Sequence, residues 1–170
     1  MPSRLQDPKV MSLAAAVKAR RKLARAGGRL VLTNGVFDLL HPGHTSYLAA
    51  ARRLAGPKGA LFVALNSDRS VKELKGKSRP ILPERDRAYN LAQLASVDGV
   101  VIFRNKRLTR EIAALKPDIY CKAGDYTPET LDPDEFQALA KVAAKIRFMP
   151  FLPGFSTTKL IARIRAAGSL

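Results

Sequence analysis

Tryptophan is absent from this chain of 170 residues, cysteine occurs once, histidine twice, and 14 acidic residues stand against 30 Lys and Arg. Each shortage excludes something. A lone Cys121 leaves no intrachain disulfide, and one Cys with two His is too few soft ligands for a structural zinc. Cys121 also lies in the apolar run D-I-Y-C-K, the setting of a buried strand residue rather than a nucleophile. Aromatic residues make up only 6% of the chain and no Lys/Arg block is interleaved with them, so the stacking platforms of a nucleic-acid-binding module are scarce. No apolar run approaches the roughly 18 residues of a membrane span, and the start M-P-S-R-L-Q-D-P-K lacks an apolar stretch with a cleavage site; a cytoplasmic location away from membranes is expected. The shortage of acids leaves a net charge of +16, which calls for an anionic partner or an unusually basic surface.

What is present reads as one globular domain, with 46% hydrophobic and 26% charged residues and no internal repeat. Residues 10–26 form an Ala-rich basic helix stopped by Gly27-Gly28, and residues 1–28 are read as an N-terminal basic helix packed on a core domain of 29–170. Strand and helix patterns then alternate: strands over 29–34, 60–65, 99–103, 118–122 and 145–149, helices over 43–55, 84–96, 107–115, 133–144 and 156–167. This predicts an α/β, Rossmann-like fold, a parallel five-stranded sheet with helices on both faces and right-handed crossovers. Ligands in such sheets bind beyond the carboxyl ends of the strands, where the strand order reverses.

Both histidines lie in one turn at such an end, T-N-G-V-F-D-L-L-H-P-G-H, which places His41 and His44 three apart between a strand and a helix. Free N–H groups and the positive end of a helix dipole make that junction favourable for anions, and two imidazoles add donors. Gly35 and Gly43 let the backbone approach a phosphate closely. Two other phosphate signatures fail. Gly76-Lys77-Ser78 ends like a P-loop but Val71 stands where its first glycine belongs, and no G-x-G-x-x-G follows the first strand. After the second strand, Asn66, Ser67 and Asp68 are followed by Lys72, Lys75, Lys77 and Arg79, either a solvated loop or a mobile basic lid over a triphosphate. Arg87 opens a helix from which it could reach a phosphate, and K-A-G-D-Y-T-P-E sets Lys122, Gly124 and Asp125 beyond the fourth strand. The last helix begins with Ser156, Thr157 and Thr158, two hydroxyls more than a cap requires, followed by Lys159.

The first turn resembles the (T/S)-x-G-x-F-D-x-x-H-x-G-H signature of the nucleotidylyltransferase superfamily, and G-F-S-T-T resembles its (I/F)-S-T-T element. From Thr33 to Ile161, about three quarters of the chain, the succession of N-S-D-x-S-V, L-K-G, R-P-I, K-P-D and G-D-Y-T-P-E is similar to one subfamily, the D-glycero-β-D-manno-heptose 1-phosphate adenylyltransferases, or ADP-heptose synthases, of lipopolysaccharide core precursor synthesis. Cytidylyltransferases acting on polyol or amino-alcohol phosphates share H-x-G-H and S-T-T; the N-S-D and G-D-Y-T-P-E strings favour the heptose enzymes.

The resemblance implies that His41 and His44 bind phosphate and stabilise the transition state, with Lys75 and Arg87 assisting. It implies nucleotide contacts from Asn34, Gly35, Val36, Phe37, Gly43, Lys122, Gly124 and Asp125, and outer-phosphate contacts from Ser156, Thr157 and Thr158. Asp38, Asn66, Asp68 and Lys75 would face the sugar phosphate. One departure is Lys122-Ala123-Gly124-Asp125, where the family usually has K-G-G-D. Also implied are ATP with Mg²⁺, a sugar phosphate and a homodimer; the subfamily is often fused to a ribokinase-like sugar kinase, and a chain of 170 residues is expected to take its 1-phosphate from a kinase on a separate chain.

Overall fold

A strand that is apolar on both sides must be covered on both sides, and the strands of this protein have that character. They are β1 (Leu30–Gly35), β2 (Ala60–Asn66), β3 (Gly99–Phe103), β4 (Ile119–Ala123) and β5 (Lys145–Met149), and all seven residues of β2 are buried. The computed structural model describes residues 6–124, 127, 129–150 and 152–168. Asp125 therefore lies outside the described residues.

The strands pair in the order β3-β2-β1-β4-β5, every pairing parallel. The chain runs outward from β1 through β2 to β3, then returns to β4 beside β1, so the order reverses between β1 and β4. In parallel sheets of this kind ligands bind at such a point, beyond the carboxyl ends of the two strands.

Seven helices connect and cover the sheet: α1 (Leu13–Arg25), α2 (Pro42–Ala55), α3 (Asp68–Lys75), α4 (Glu84–Ala92), α5 (Thr109–Leu115), α6 (Pro133–Lys141) and α7 (Thr157–Ala167). Alternate strand residues divide between two cores, as the two-residue period of a strand requires. Val31, Leu61, Val63, Leu65, Val100 and Cys121 pack with Leu48, Ala51 and Leu91 of α2 and α4. Leu30, Leu32, Phe62, Val101 and Tyr120 pack with Ala16, Ile112 and Leu139 of α1, α5 and α6. Cys121 is buried, and its surroundings push the thiol up to about 12, as suits a core residue.

The two carboxylates Asp98 and Asp118 repeat one device at the amino ends of the strands. Asp98 Oδ2 accepts the Leu61 amide at 2.8 Å and pairs with Arg52, while Asp118 Oδ2 accepts the Leu30 amide at 2.7 Å and pairs with Arg20. Each satisfies a strand amide that has no ladder partner.

Element boundaries differ from the sequence reading where a polar pattern misleads. The expected basic loop after β2 is helix α3 as far as Lys75, started by Ser67, whose Oγ accepts from Ser70 N, and stopped by Gly76 at φ +92°. The helix expected over 133–144 ends at Lys141, because the chain turns through a positive φ of 55° at Ala143. No helix among the described residues is long and apolar enough to cross a membrane.

Buried and exposed apolar positions should respond differently to truncation. Leu32→Ala, at a position with no exposure, is expected to lower unfolding free energy by about 2–5 kcal/mol. Ile164→Ala, 58% exposed on α7, should stay within about 0.5 kcal/mol of wild type. Urea denaturation of both variants checks the contrast.

Candidate active site

The site begins where β1 ends. Tyr47 on α2 and Thr33 on β1 share a 2.6 Å hydrogen bond between hydroxyls, which fixes α2 against the strand that precedes it. Between them the chain makes a tight turn. Gly35 leaves room for the Phe37 ring, since a Cβ at that glycine would sit 2.8 Å from Phe37 Cε2. Phe37 itself adopts a positive φ of 44°, a strained conformation for an aromatic residue, so its neighbours must hold it there.

Two buried ions do the holding. Arg87 has no solvent exposure, and its guanidinium donates to Leu82 O at 2.9 Å, Val36 O at 2.7 Å and Asp68 Oδ1 at 2.7 Å. Asp38 accepts from the amides of Ile81 and Leu82 and from Arg79 Nε at 2.7 Å. Arg87, expected to reach a phosphate, and Asp38, expected at a sugar phosphate, are buried and tie the turn to residues 79–82 and to α3. Asp68 and Asn66, expected at the sugar, are likewise engaged at the start of α3, Asp68 with Arg87 and Asn66 Nδ2 with Ser70 Oγ at 3.1 Å. Lys75 ends α3 exposed to solvent.

The two histidines meet face to face. Their ring centroids are 3.8 Å apart and 18° from parallel, with the Phe37 ring edge-on to His44 at 5.2 Å. Nδ1 of both is buried and makes no hydrogen bond. Burial lowers His41, and burial together with the neighbouring His41 charge lowers His44 to about 4. Both rings are therefore neutral near pH 7, where each carries one N–H to donate.

Residues from the far end of the chain reach this turn. A Cβ on Gly43 would sit 3.0 Å from the His41 ring and 3.2 Å from Phe155 Cβ, and the Phe155 ring lies parallel to His41 at 6.3 Å. Phe155 directly precedes Ser156, the N-cap of α7, whose Oγ accepts from Lys159 N at 3.1 Å. The starts of α2 and α7, with Thr157 and Thr158 in the first turn of the latter, thus adjoin, and two positive helix ends face one region. Phe155 went unrecognised as a site contact, although it stands within the G-F-S-T-T string.

At the carboxyl ends of the two strands, Asn34 Oδ1 on β1 accepts from Tyr120 OH at 2.8 Å and Lys122 Nζ at 3.0 Å on β4. Burial lowers Lys122, an effect that Glu135 opposes from 4.0 Å. Gly124 turns the chain out of β4 at φ +110°, its amide bonded to Met149 O. Among the described residues no group of three or more His, Cys, Asp or Glu side chains is placed to hold a metal ion. Stacked imidazoles are also poor ligands for Mg²⁺, which prefers oxygen.

Two outcomes follow from this geometry. Arg87→Ala should destabilise the fold by about 3 kcal/mol or more in urea denaturation, because it strands Asp68 and the Val36 and Leu82 carbonyls. A residue that only touched ligand would leave unfolding unchanged. The pKa of folded His44, lowered to about 4, lies below its ordinary 6.5, so between those values the unfolded chain binds the proton more readily. Stability contributed by the neutral ring is full above that window and lost as pH falls through it; the stability difference between wild type and His44→Gln should shrink from pH 7 to pH 4.

Comparison with known proteins agrees with this arrangement. Residues 32–163 match the cytidylyltransferase-like family model. The chain is 44% identical over 158 residues to the bifunctional protein HldE of Helicobacter pylori strain Shi470, covering 93% of this chain and 32% of that protein. It is 45% identical over 154 residues to the bifunctional protein HldE of Geotalea uraniireducens strain Rf4, covering 91% and 30%. It spans about a third of the length of these relatives. Among solved structures, the lipopolysaccharide core biosynthesis protein from Thermoplasma volcanium GSS1 superimposes with a TM-score of 0.59 at 28% identity, covering 74% of this chain and 98% of that one. The match over most of the chain, on the fold and turn just described, places the protein in the cytidylyltransferase-like family of nucleotidyltransferases.

Proposed function

We propose that this nucleotidyltransferase transfers the adenylyl group of ATP to D-glycero-β-D-manno-heptose 1-phosphate, giving ADP-heptose and pyrophosphate for lipopolysaccharide core synthesis. The observation that carries the reading is the meeting of the stacked His41 and His44 with the start of α7 across Gly43 and Phe155. That meeting sets imidazole donors and a run of hydroxyls beside one crevice, as a triphosphate tail requires. The choice of sugar rests on the sequence strings shared with heptose adenylyltransferases, and the HldE relatives and the lipopolysaccharide core biosynthesis protein support it.

In this reading an oxygen of the sugar phosphate attacks the α-phosphorus in line. The bond from that phosphorus to the bridging oxygen breaks, and pyrophosphate leaves with the electron pair. No covalent enzyme intermediate forms. His41 and His44 donate N–H groups to the α-phosphate as charge builds, and their neutrality means the positive contribution comes from the two helix ends and from Lys75. Ser156, Thr157 and Thr158 hold the outer phosphates; Ser156 uses its oxygen as a cap and keeps its proton to donate. The backbone of Gly35, Val36, Phe37 and Gly43 approaches the phosphates. Asn34, Lys122 and Gly124 receive the nucleoside at the mouth of β1 and β4. Mg²⁺ bound with the ATP substrate would neutralise charge on the leaving pyrophosphate. The proposal extends to a cytoplasmic homodimer.

Pyrophosphate release with each of the four nucleoside triphosphates, across sugar and polyol phosphates, is the test. ATP with the heptose 1-phosphate should be the fastest pair. Faster release from CTP with a polyol phosphate would replace this reading with a cytidylyltransferase. His44→Ala should lower turnover by about 100- to 1000-fold, some 3–4 kcal/mol, the usual loss of one transition-state donor. Near wild-type turnover would remove His44 from the mechanism.

A further inference from the structure

A second basic concavity lies at the other end of the sheet. It has a volume of about 470 Å³, within the range of small-ligand sites, and is lined by Arg20, Arg29, Lys116, Asp118, Ala143 and Lys145 with their neighbours. These residues precede β1, β4 and β5, begin β5 or lie on α1, so they belong to the amino ends of the strands, away from the histidine turn at the carboxyl ends.

Its charge is one-sided. Four cations line it against one carboxylate, Asp118, and that carboxylate is already committed to Arg20 at 3.0 Å and to the Leu30 amide at 2.7 Å. Helix carboxyl ends, whose negative dipoles attract cations, account for only part of this excess. Arg20 alone meets the last carbonyls of α5, with Nε 3.3 Å from Leu115 O and Nη2 3.2 Å from Lys116 O. Arg29, Lys116 and Lys145 remain exposed, and none of them pairs with a carboxylate among the described residues. They come from three separate stretches of chain, so their convergence is a product of the fold. Two of the stretches are shaped by left-handed backbone at the rim, Lys116 at φ 46° and Ala143 at φ 55°.

Three uncompensated cations around one concavity repel each other, and an anion carrying several charges relieves that repulsion. We propose that this recess is a second anion site, separate from the proposed active site, that binds a small ligand bearing a di- or triphosphate group. A recess of this volume suits a compact anion better than a polymer. The aromatic platforms a nucleic acid would stack on are also missing from its lining.

The test is an amide NMR titration of the full chain with inorganic tripolyphosphate. Saturable shifts are expected at Arg29, Lys116, Asp118, Ala143 and Lys145, as a set distinct from any around His41, His44 and Ser156. The double variant Lys116→Ala/Lys145→Ala, which changes two exposed side chains, should weaken the first set by about tenfold and leave the second unchanged. Parallel titrations with ATP and with glucose 1-phosphate separate a nucleotide or polyphosphate ligand from a simple sugar phosphate. No shift at the recess, or equal affinity in the double variant, overturns the proposal. So does a result in which single-stranded RNA shifts those amides and tripolyphosphate does not. Failure at the recess with normal turnover would leave the proposed adenylyl transfer intact.

Discussion

A buried arginine and a buried aspartate hold the turn on which the site depends. Arg87 grips the Val36 carbonyl, and Asp38 grips the amides of Ile81 and Leu82, so the strained Phe37 between them cannot relax. Ions this deep are stable only when paired and fully hydrogen-bonded. Arg87 pairs with Asp68 and also donates to the Val36 and Leu82 carbonyls, and Asp38 pairs with Arg79 and also accepts two amides. The cost of burying them is offset by a turn fixed well enough to stack His41 on His44. Preorganisation of this kind is what a reaction driven by positioning and charge stabilisation needs.

Charge is distributed with a similar economy. At the carboxyl ends of the strands the imidazoles are neutral, the aspartates are engaged, and helix amino ends supply the positive field. The cations of the opposite end are mostly free of carboxylates. A neutral donor pair can face a polyphosphate without the repulsion that two stacked imidazolium rings would create. The basic excess of the composition is thus partly a property of the far side of the sheet, remote from the transferred phosphorus.

Local signals carried much of this. Alternating apolar runs predicted all five strands within a residue or two, because a strand buried on both faces has little else to be. Helix α3 is bounded by an N-cap serine and a stopping glycine, Ser67 and Gly76, yet five charged residues in the eight between them pointed to a loop. The bracing of the turn was less legible. Arg87, Asp38, Asp68 and Asn66 are polar residues at strand and helix ends, where a side chain turned to ligand and one turned inward leave the same mark on the sequence. Their burial decides between these, and burial comes from distant contacts.

By itself, then, the order of residues determined the α/β class, the two-histidine turn at a strand end and the hydroxyl-rich start of the last helix. Each of these is written in residues within a dozen places of one another. Only the tertiary structure decided that Phe155 would rest on the His41 turn, that Arg87 would face inward across 51 residues to Val36, and that Arg29, Lys116 and Lys145 would converge. Such contacts follow from the reversal of strand order between β1 and β4 and from the packing it enforces, which no short stretch of sequence encodes.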